Sequence, residues 1–562
     1  MTIKDMARLP EPVQHTGTGA TRSRKPIYQN SLPPCNQACP AGNNIQKVML
    51  YAQEGDFRAA WQAFCETSPM PSVFGRVCYH PCEGGCNRVD VEGDASQSVR
   101  IHGIERFLGD LAIEQNWQFE PPAIETGKKV LVVGAGPCGL SAAYHLRLAG
   151  HQVEIREAGP VAGGMLHFGI PAYRLPRDIL QAEVDRLENI GVTITLNHKV
   201  EDLAKEKAEG GFDVAFIAIG AHIGKRTDIP AREAGTMLDA VNFLHDVGTG
   251  QQPKMGRRVA VYGGGNTAMD AARTAKRMDV DEVMIIYRRD REHMPAHDFE
   301  AEEALAEGVK IHWLRTIQQI EGDDIQVEEM EIGEDGRPKP TGRMETLQAD
   351  TLIMALGQNI ESQLLANVDG IELNRDGTVQ VAENMMTGHG GVFAGGDMVP
   401  SDRTATIAVG HGRKAANHIT AWLNNTTFEK PAKNPVIGHE KLHLWYRTLA
   451  PQQQQPALTP EQRNDFSEVV GGLTAEQALF ESARCYSCGN CFECDGCYGS
   501  CPEGAIQKLG KGNGYKIDYQ RCTGCSACYD QCPCHAIEMV GVEKLNAEPS
   551  TENAVQTQEV RS

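Results

Sequence analysis

The feature that most constrains this chain is a doubled cysteine run near its C-terminal end. Cys491-x2-Cys494-x2-Cys497-x3-Cys501-Pro502 is followed by Cys522-x2-Cys525-x2-Cys528-x3-Cys532-Pro533. Three thiolates so close together can grip one iron–sulfur cubane, while the fourth cysteine of each run reaches across to the other cluster. The spacing predicts one 4Fe–4S cluster on Cys491, Cys494, Cys497 and Cys532, and a second on Cys522, Cys525, Cys528 and Cys501. Disulfides and structural zinc are the bland alternatives, and neither accounts for two matching runs that each close on Cys-Pro. Eleven of the 18 cysteines lie between Cys485 and Cys534, which leaves Cys485, Cys488 and Cys534 outside both sets.

A chain of 562 residues has room for three or four domains. Its formal net charge of -20 repels phosphate backbones, so nucleic acid is not an expected partner. The first thirty or so residues are polar and unlike a signal peptide, and no apolar run approaches the ~18–20 residues a membrane span needs. Cysteines spaced for clusters rather than disulfides fit a reducing compartment, so a cytoplasmic protein is expected. His293 and His297 are four apart, but no third ligand is evident, and no metal is expected there. Glu302 and Glu303 read as a helix face or a nicotinamide-side contact rather than a catalytic pair, and no catalytic acid or base is expected.

Two further patterns point to dinucleotides. Lys128 to Val133 reads as a buried strand that runs into Gly134-Ala-Gly136-Pro137-Cys-Gly139 and then a helix. The first glycine permits the tight turn, the second lets backbone approach a pyrophosphate, and the third lets helix and strand pack closely. Glu157 ends the next strand, about twenty residues on, where an acid binds an adenosine ribose. Far downstream, Gly391-Val-Phe-Ala-Gly395-Gly396-Asp397 returns the chain to this first site, with Asp397 available for ribityl hydroxyls. Between them lies a second unit, Val259-Ala-Val-Tyr-Gly263-Gly-Gly265-Asn266-Thr267-Ala268, followed by a helix and a strand ending at Tyr287-Arg288-Arg289. One nucleotide domain interrupted by another fits FAD outside and a nicotinamide inside. Arginines in place of the ribose-binding acid favour a 2′-phosphate, hence NADPH, although they would also suit a solvated basic patch and NADH stays open. Gly164, Leu166, Gly220 and Thr404 are expected as further contacts to the outer nucleotide, and Asn266 and Thr267 to the inner one.

Three stretches carry a resemblance. Gly163 to Pro176 (GGMLHFGIPAYRLP), Gly263 to Asp270 (GGGNTAMD) and Tyr287 to Ala296 (YRRDREHMPA) closely resemble the glutamate synthase small (β) subunit, the N-terminal half of dihydropyrimidine dehydrogenase, and the large subunit of NADH-dependent ferredoxin:NADP oxidoreductase. The resemblance covers roughly residues 33–425, and the doubled cysteine run resembles the bacterial two-cluster ferredoxins. It implies a helical N-terminal domain with two 4Fe–4S clusters ahead of the FAD and NAD(P)H domains. Carried over, Cys39, Cys78, Cys82 and Glu105 would hold one cluster, while Cys35 and Cys86 would supply half of another. The family's leading Cys-x2-Cys pair is missing upstream of Cys35. Either that cluster is lost, or its ligands come from elsewhere. Glu481-Ser-Ala-Arg-Cys485-Tyr-Ser-Cys488-Gly looks like the family's lost segment, so the C-terminal part is expected to fold back, or reach across a dimer, and complete a cluster with Cys35 and Cys86. Cys65, Cys138 and Cys534 remain as packing residues or bystanders.

The expected fold is multidomain α/β. An N-terminal arm (1–32) and a helical iron–sulfur domain (33–122) precede two Rossmann-like domains: FAD-binding in two parts (128–250 and 366–425) and an inserted NAD(P)H domain (256–365). A connector (426–480), an α+β ferredoxin-like domain (485–540) and a disordered tail (543–562) complete the chain. The expected activity moves electrons between NADPH and a ferredoxin or a partner subunit (an oxo-acid, aldehyde or formate oxidoreductase) through FAD and four 4Fe–4S clusters, in a hetero-oligomer or homodimer. The alternative is a glutamate synthase small subunit, against which the extra ferredoxin-like domain argues.

Overall fold

The computed structural model describes residues 22–542 apart from 225–228, 233–234, 446 and 448. Most of the expected N-terminal arm, and the whole expected tail 543–562, lie outside the described residues.

The outer nucleotide domain is a five-stranded parallel sheet in the order Val392–Ala394, Val214–Ile217, Lys129–Val133, Gln152–Arg156, Val192–Thr195. Its central strand reads KVLVV and is buried nearly end to end, as a parallel strand covered on both faces must be. Helix Pro137–Leu148 leaves the first glycine loop and packs against the long helix Ala405–Leu423, which returns the chain after the Gly-Asp strand. Gly139 makes room for the strand at the start of that helix: a Cβ there would sit 2.0 Å from the Gly134 carbonyl oxygen.

The inserted domain is also parallel, in the order Lys310–Trp313, Glu282–Tyr287, Arg258–Tyr262, Thr351–Met354, Thr236–Asp239. Alternation along its strands divides two cores. Val259, Val261, Val283 and Ile285 face helices, while Ala260, Tyr262, Met284 and Ile286 face a second sheet built from Arg315–Glu321, Asp324–Ile332, Pro338–Gln348 and the short strand Ala231–Arg232. Ala231–Arg232 and Thr236–Asp239 precede residue 256, the expected start of this domain. They pair into its sheets because an edge strand is fixed by its distant partner, not by its own sequence neighbours.

The N-terminal domain is helical. The apolar spacing from Ile45 to Phe64 forms two helices, Ile45–Gln53 and Phe57–Cys65, capped at their starts by the Asn44 and Asp56 side chains. Gly55 breaks them with φ +77°, a left-handed turn that other residues adopt only at a cost. Val48, Met49, Trp61, Phe64, Ile104 and Leu108 form the core, the last two from helix Ile101–Glu114.

The C-terminal domain has a short hairpin, Ile506–Lys508 with Tyr515–Ile517, and a last strand, Ile537–Gly541. That strand pairs antiparallel with Arg24–Tyr28, so the described end of the N-terminal arm is an ordered strand of the ferredoxin-like domain. The connector staples the other domains together. Glu468 pairs with Arg76 at 2.7 Å and Arg106 at 3.0 Å in the helical domain, and Arg463 pairs with Glu307 of the inserted domain at 3.1 Å. Among the described residues, no helix is long and apolar enough to cross a membrane.

Candidate functional site

Both glycine loops open on one cavity of about 1460 Å³. Gly134, Gly136, Pro137, Glu157, Gly164, Leu166, Gly220, Gly396, Asp397 and Thr404 line it on the outer-domain side, and Gly263, Gly265, Asn266, Thr267, Arg288 and Arg289 on the inner side. Of the nucleotide candidates only Gly139 stays behind the wall, where its role is packing. Helices Pro137–Leu148 and Asn266–Lys276 start at the two loops, so each presents unpaired N–H groups and the positive end of its dipole to the cavity. Such an end suits a pyrophosphate.

The polar groups around the cavity fit two nucleotides. Glu157 accepts hydrogen bonds at 2.7 Å from the Ala135 and Gly159 backbone N–H groups, so it braces the first glycine loop while its carboxylate borders the cavity. Burial pushes the Asp397 carboxyl upward, against the pull of Arg403. The Arg289 Nε and the Asn266 Oδ1 are buried on the inner side without a hydrogen-bond partner among the described residues. Buried polar atoms are normally paired, and a donor and an acceptor aimed at the same region fit a polar ligand.

Sequence reasoning missed Tyr79. It lines the nucleotide cavity, accepts a hydrogen bond from Asn266 Nδ2 at 2.6 Å, and stacks on His297 with ring centroids 3.7 Å apart. Beside it Arg174 pairs with Asp270 and Glu300, each at 2.8 Å. His293 turns instead to Asp290 at 2.7 Å, so the two histidines four apart serve separate contacts. Glu302 and Glu303 are each engaged by an arginine, Arg291 and Arg273 respectively. Only the position of Tyr79 between Cys78 and His80, in a cysteine-bearing loop, could have singled it out.

The cysteines gather in four groups. Cys39, Cys78, Cys82 and Glu105 line one small cavity, directly behind the part of the nucleotide cavity wall formed by Val77 and Tyr79. Glu105 is 6% exposed, its Oε1 has no hydrogen-bond partner among the described residues, and burial, followed by the nearby Glu183 and Glu83 carboxylates, pushes its pKa up to about 8. An orphaned buried carboxylate facing three thiols is a donor set suited to a metal centre. The loop carrying Cys78 and Cys82 is braced by Glu83, which accepts from the His102 backbone N–H at 3.0 Å and meets the His102 ring at 2.7 Å.

In the second group, the Cys35 thiol is buried close enough to Cys86, Cys485 and Cys488 that their charges reinforce the upward push of burial on its pKa. The four come together within one chain. Four half-buried thiols crowded together resist ionisation, whereas a cationic metal core holds them as thiolates, so the donor set fits a cluster. A buried ion pair positions the distant half. Arg484 pairs with Glu481 and donates to the carbonyls of Ser98 and Gln97, both at 2.8 Å, and Glu481 accepts from the Arg100 and Gln453 backbone N–H groups, both at 2.8 Å. Arg88 donates to the Arg484 carbonyl at 3.1 Å.

In the C-terminal domain, Cys501, Cys522, Cys525 and Cys528 line one cavity together with Pro26 from the N-terminal strand. Cys491, Cys494, Cys497 and Cys532 form the remaining group, in which each thiol raises the pKa of Cys491 further after burial. Cys525 and Cys494 reach the surface. Cys65 and Cys138 are buried in apolar cores, and Cys534 lies with its sulfur 3.8 Å from that of Cys532.

Comparison with known proteins places three family models on the chain. Residues 128–412 match pyridine nucleotide-disulphide oxidoreductase, residues 14–117 match dihydropyrimidine dehydrogenase domain II, 4Fe-4S cluster, and residues 515–538 match the 4Fe-4S binding domain. The chain is 35% identical over 503 residues to the NADP(+)-dependent formate dehydrogenase subunit beta of Moorella thermoacetica, an alignment of 81% of this chain and 70% of that one. It is 31% identical over 507 residues to the NADPH-Fe(3+) oxidoreductase subunit beta of Geobacter sulfurreducens, covering 81% of this chain and 75% of the relative. It is also 31% identical over 424 residues to the glutamate synthase [NADPH] small chain of Escherichia coli, covering 70% and 89%.

Proposed function

The chain belongs to the pyridine nucleotide-disulphide oxidoreductase family and is an FAD- and NAD(P)H-dependent oxidoreductase with 4Fe–4S clusters; from that premise we propose that it is the NADPH-oxidising, electron-transfer subunit of a larger enzyme. The observation that carries this reading is continuity. Val77 and Tyr79 border the nucleotide cavity, and Cys78 between them borders the next group of donors. From there Cys82 neighbours Cys35, Cys488 lies one short loop before Cys491, and Cys497 lies beside Cys528.

The residues would divide the work as follows. The outer glycine loop, with Glu157, Gly164, Leu166, Gly220, Asp397 and Thr404, holds the flavin nucleotide. The inner loop, with Asn266 and Thr267, holds the nicotinamide nucleotide, and Arg288 and Arg289 read its 2′-phosphate. FAD in this position supplies the conversion of a hydride, taken as an electron pair, into single electrons. Cys39, Cys78, Cys82 and Glu105 hold the cluster next to it; Cys35, Cys86, Cys485 and Cys488 hold the second; the two ferredoxin-like sets hold the last pair. The surface-facing Cys525 and Cys494 give those last clusters access to a partner.

A partner catalytic subunit is the expected electron acceptor or donor, since two relatives are named as the beta subunits of an NADP(+)-dependent formate dehydrogenase and an NADPH-Fe(3+) oxidoreductase. The glutamate synthase reading is favoured by the likeness to a small chain, but that alignment leaves more of this chain unmatched. The test is anaerobic NADPH oxidation by the purified chain with a viologen acceptor, together with flavin and iron analysis. Turnover with bound FAD supports the proposal. A chain with full flavin and iron but no NADPH-dependent viologen reduction contradicts it.

A further inference from the structure

The two ferredoxin-like cysteine sets differ in ways that the cysteine spacing does not show. Tyr28, from the N-terminal strand, places its hydroxyl 3.3 Å from the sulfur of Cys497. The other set, Cys501, Cys522, Cys525 and Cys528, has Arg22 beside it instead, whose guanidinium donates to the Cys522 carbonyl at 3.1 Å. There is also a backbone contact there, the Ala505 N–H to Cys501 at 3.3 Å.

Tyr28 is held from three directions. Its backbone pairs with Ile537 in the antiparallel register of the two terminal strands. Its ring stacks on Tyr515, with centroids 6.3 Å apart and planes at 19°. Tyr515 is itself fixed, donating to the Asp495 carboxylate at 2.7 Å and accepting from the Asp495 backbone N–H at 3.0 Å. A tyrosine phenol keeps its proton at neutral pH, and the Cys497, Cys491 and Cys528 thiols are its neighbours. Cys491 and Cys497 belong to one set and Cys528 to the other, which puts the ring between them.

A cysteine bound to a cluster is a thiolate with no proton to give, so in this contact the phenol is the donor. A hydrogen bond to a ligand sulfur favours the more negative, reduced state of a cluster and raises its potential. Resting on the cluster reading above, we propose that Tyr28 is a positioning residue that raises the reduction potential of the cluster on Cys491, Cys494, Cys497 and Cys532. Through Tyr28 the N-terminal strand thereby acts on one of two cysteine sets of identical spacing. Asn87 makes an analogous contact elsewhere: its Nδ2 donates to the Cys488 sulfur at 3.3 Å, in the group shared by the two ends of the chain.

The test is a potentiometric titration of the full, cluster-loaded chain followed by electron paramagnetic resonance, comparing the unsubstituted protein with Tyr28→Phe. Phenylalanine keeps the ring and its stacking and removes only the donor. One cluster midpoint moves to a more negative potential while the others stay fixed and the iron content is unchanged. Asn87→Leu, read the same way, shifts a different midpoint. Unmoved midpoints in Tyr28→Phe at full iron content overturn the proposal, as does a uniform shift of every cluster, or the same midpoint moving in both variants. Loss of iron from Tyr28→Phe also overturns it, because the hydroxyl is then structural. The unsubstituted chain tests the underlying reading separately: fewer than roughly sixteen irons per chain contradicts four cubanes whatever Tyr28 does.

Discussion

The C-terminal cysteine run and the N-terminal helical domain solve the same chemical problem in opposite ways. In the run, all eight cysteines of two groups come from one stretch, Cys491 to Cys532, carried by a short hairpin and two helical turns with the strand Arg24–Tyr28 packed beside them. In the helical domain, one group joins Cys35 and Cys86 to Cys485 and Cys488, about four hundred residues downstream. A local site is organised by its own loop geometry. A divided site depends on whatever packs its two halves together, here the buried Arg484–Glu481 pair and its backbone partners. The divided site should therefore be the one that fails when remote packing is damaged.

The largest effect is expected from Arg484→Met. It strands Glu481, which is fully buried, without its cation, and breaking such a pair costs about 3–5 kcal/mol. In thermal or denaturant unfolding of the full chain, the transition that releases the helical domain should move early, and the divided cluster should be lost while ferredoxin-type signals persist. Equal damage to both regions would break the distinction drawn here. A smaller, sharper contrast comes from single ligand changes. Cys35→Ser should remove its cluster and loosen the contact between the ends of the chain, measured by limited proteolysis near the connector. Cys494→Ser, at an exposed position, should remove its cluster and leave that proteolysis unchanged.

Arg288→Ala with Arg289→Ala should lower kcat/KM for NADPH by roughly 10–100-fold, with little change for NADH, as expected when bidentate phosphate contacts are lost. Steady-state kinetics with both nucleotides measures it. The smallest effect concerns acid. Burial alone would raise the pKa of Glu307, but hydrogen bonds from Arg277 and Arg273 bring it down to about 2. Its contribution to holding the connector against the inserted domain is present above the ordinary carboxylate pKa of about 4.3. It is lost as pH falls from there through about 2. Unfolding curves should thus show no Glu307-dependent change between about pH 5 and 8, and a Glu307→Gln variant should lose the acid-side slope that the parent shows.

The same contrast explains what could be read from the amino-acid order. The glycine loops, their flanking strands and the ferredoxin-like cysteines depend on neighbours within twenty or thirty residues, and the strand Glu282–Tyr287 falls where its apolar run ends at the arginines. The convergence of Cys485 and Cys488 on Cys35 could be anticipated only from a resemblance, because nothing local in either segment names its partner. Three contacts left almost no trace. The strand Arg24–Tyr28 gives no sign that it will pair with Ile537–Gly541, more than five hundred residues away. Thr236–Asp239 reads as part of the outer domain until Thr351–Met354 pairs with it. Tyr79 is an ordinary aromatic until folding sets it between a nucleotide cavity and a cysteine cavity. In each case an edge or a side chain is defined by a surface supplied from elsewhere in the chain.

The claim that the two ends of the chain build one cluster is tested most directly by anaerobic iron quantification and electron paramagnetic resonance on Cys485→Ser/Cys488→Ser, beside the unsubstituted chain. The expected result is roughly sixteen irons in the parent and about four fewer in the variant, with the ferredoxin-type signals intact. A variant that keeps all of the parent's iron, or a parent that holds only about eight, contradicts it.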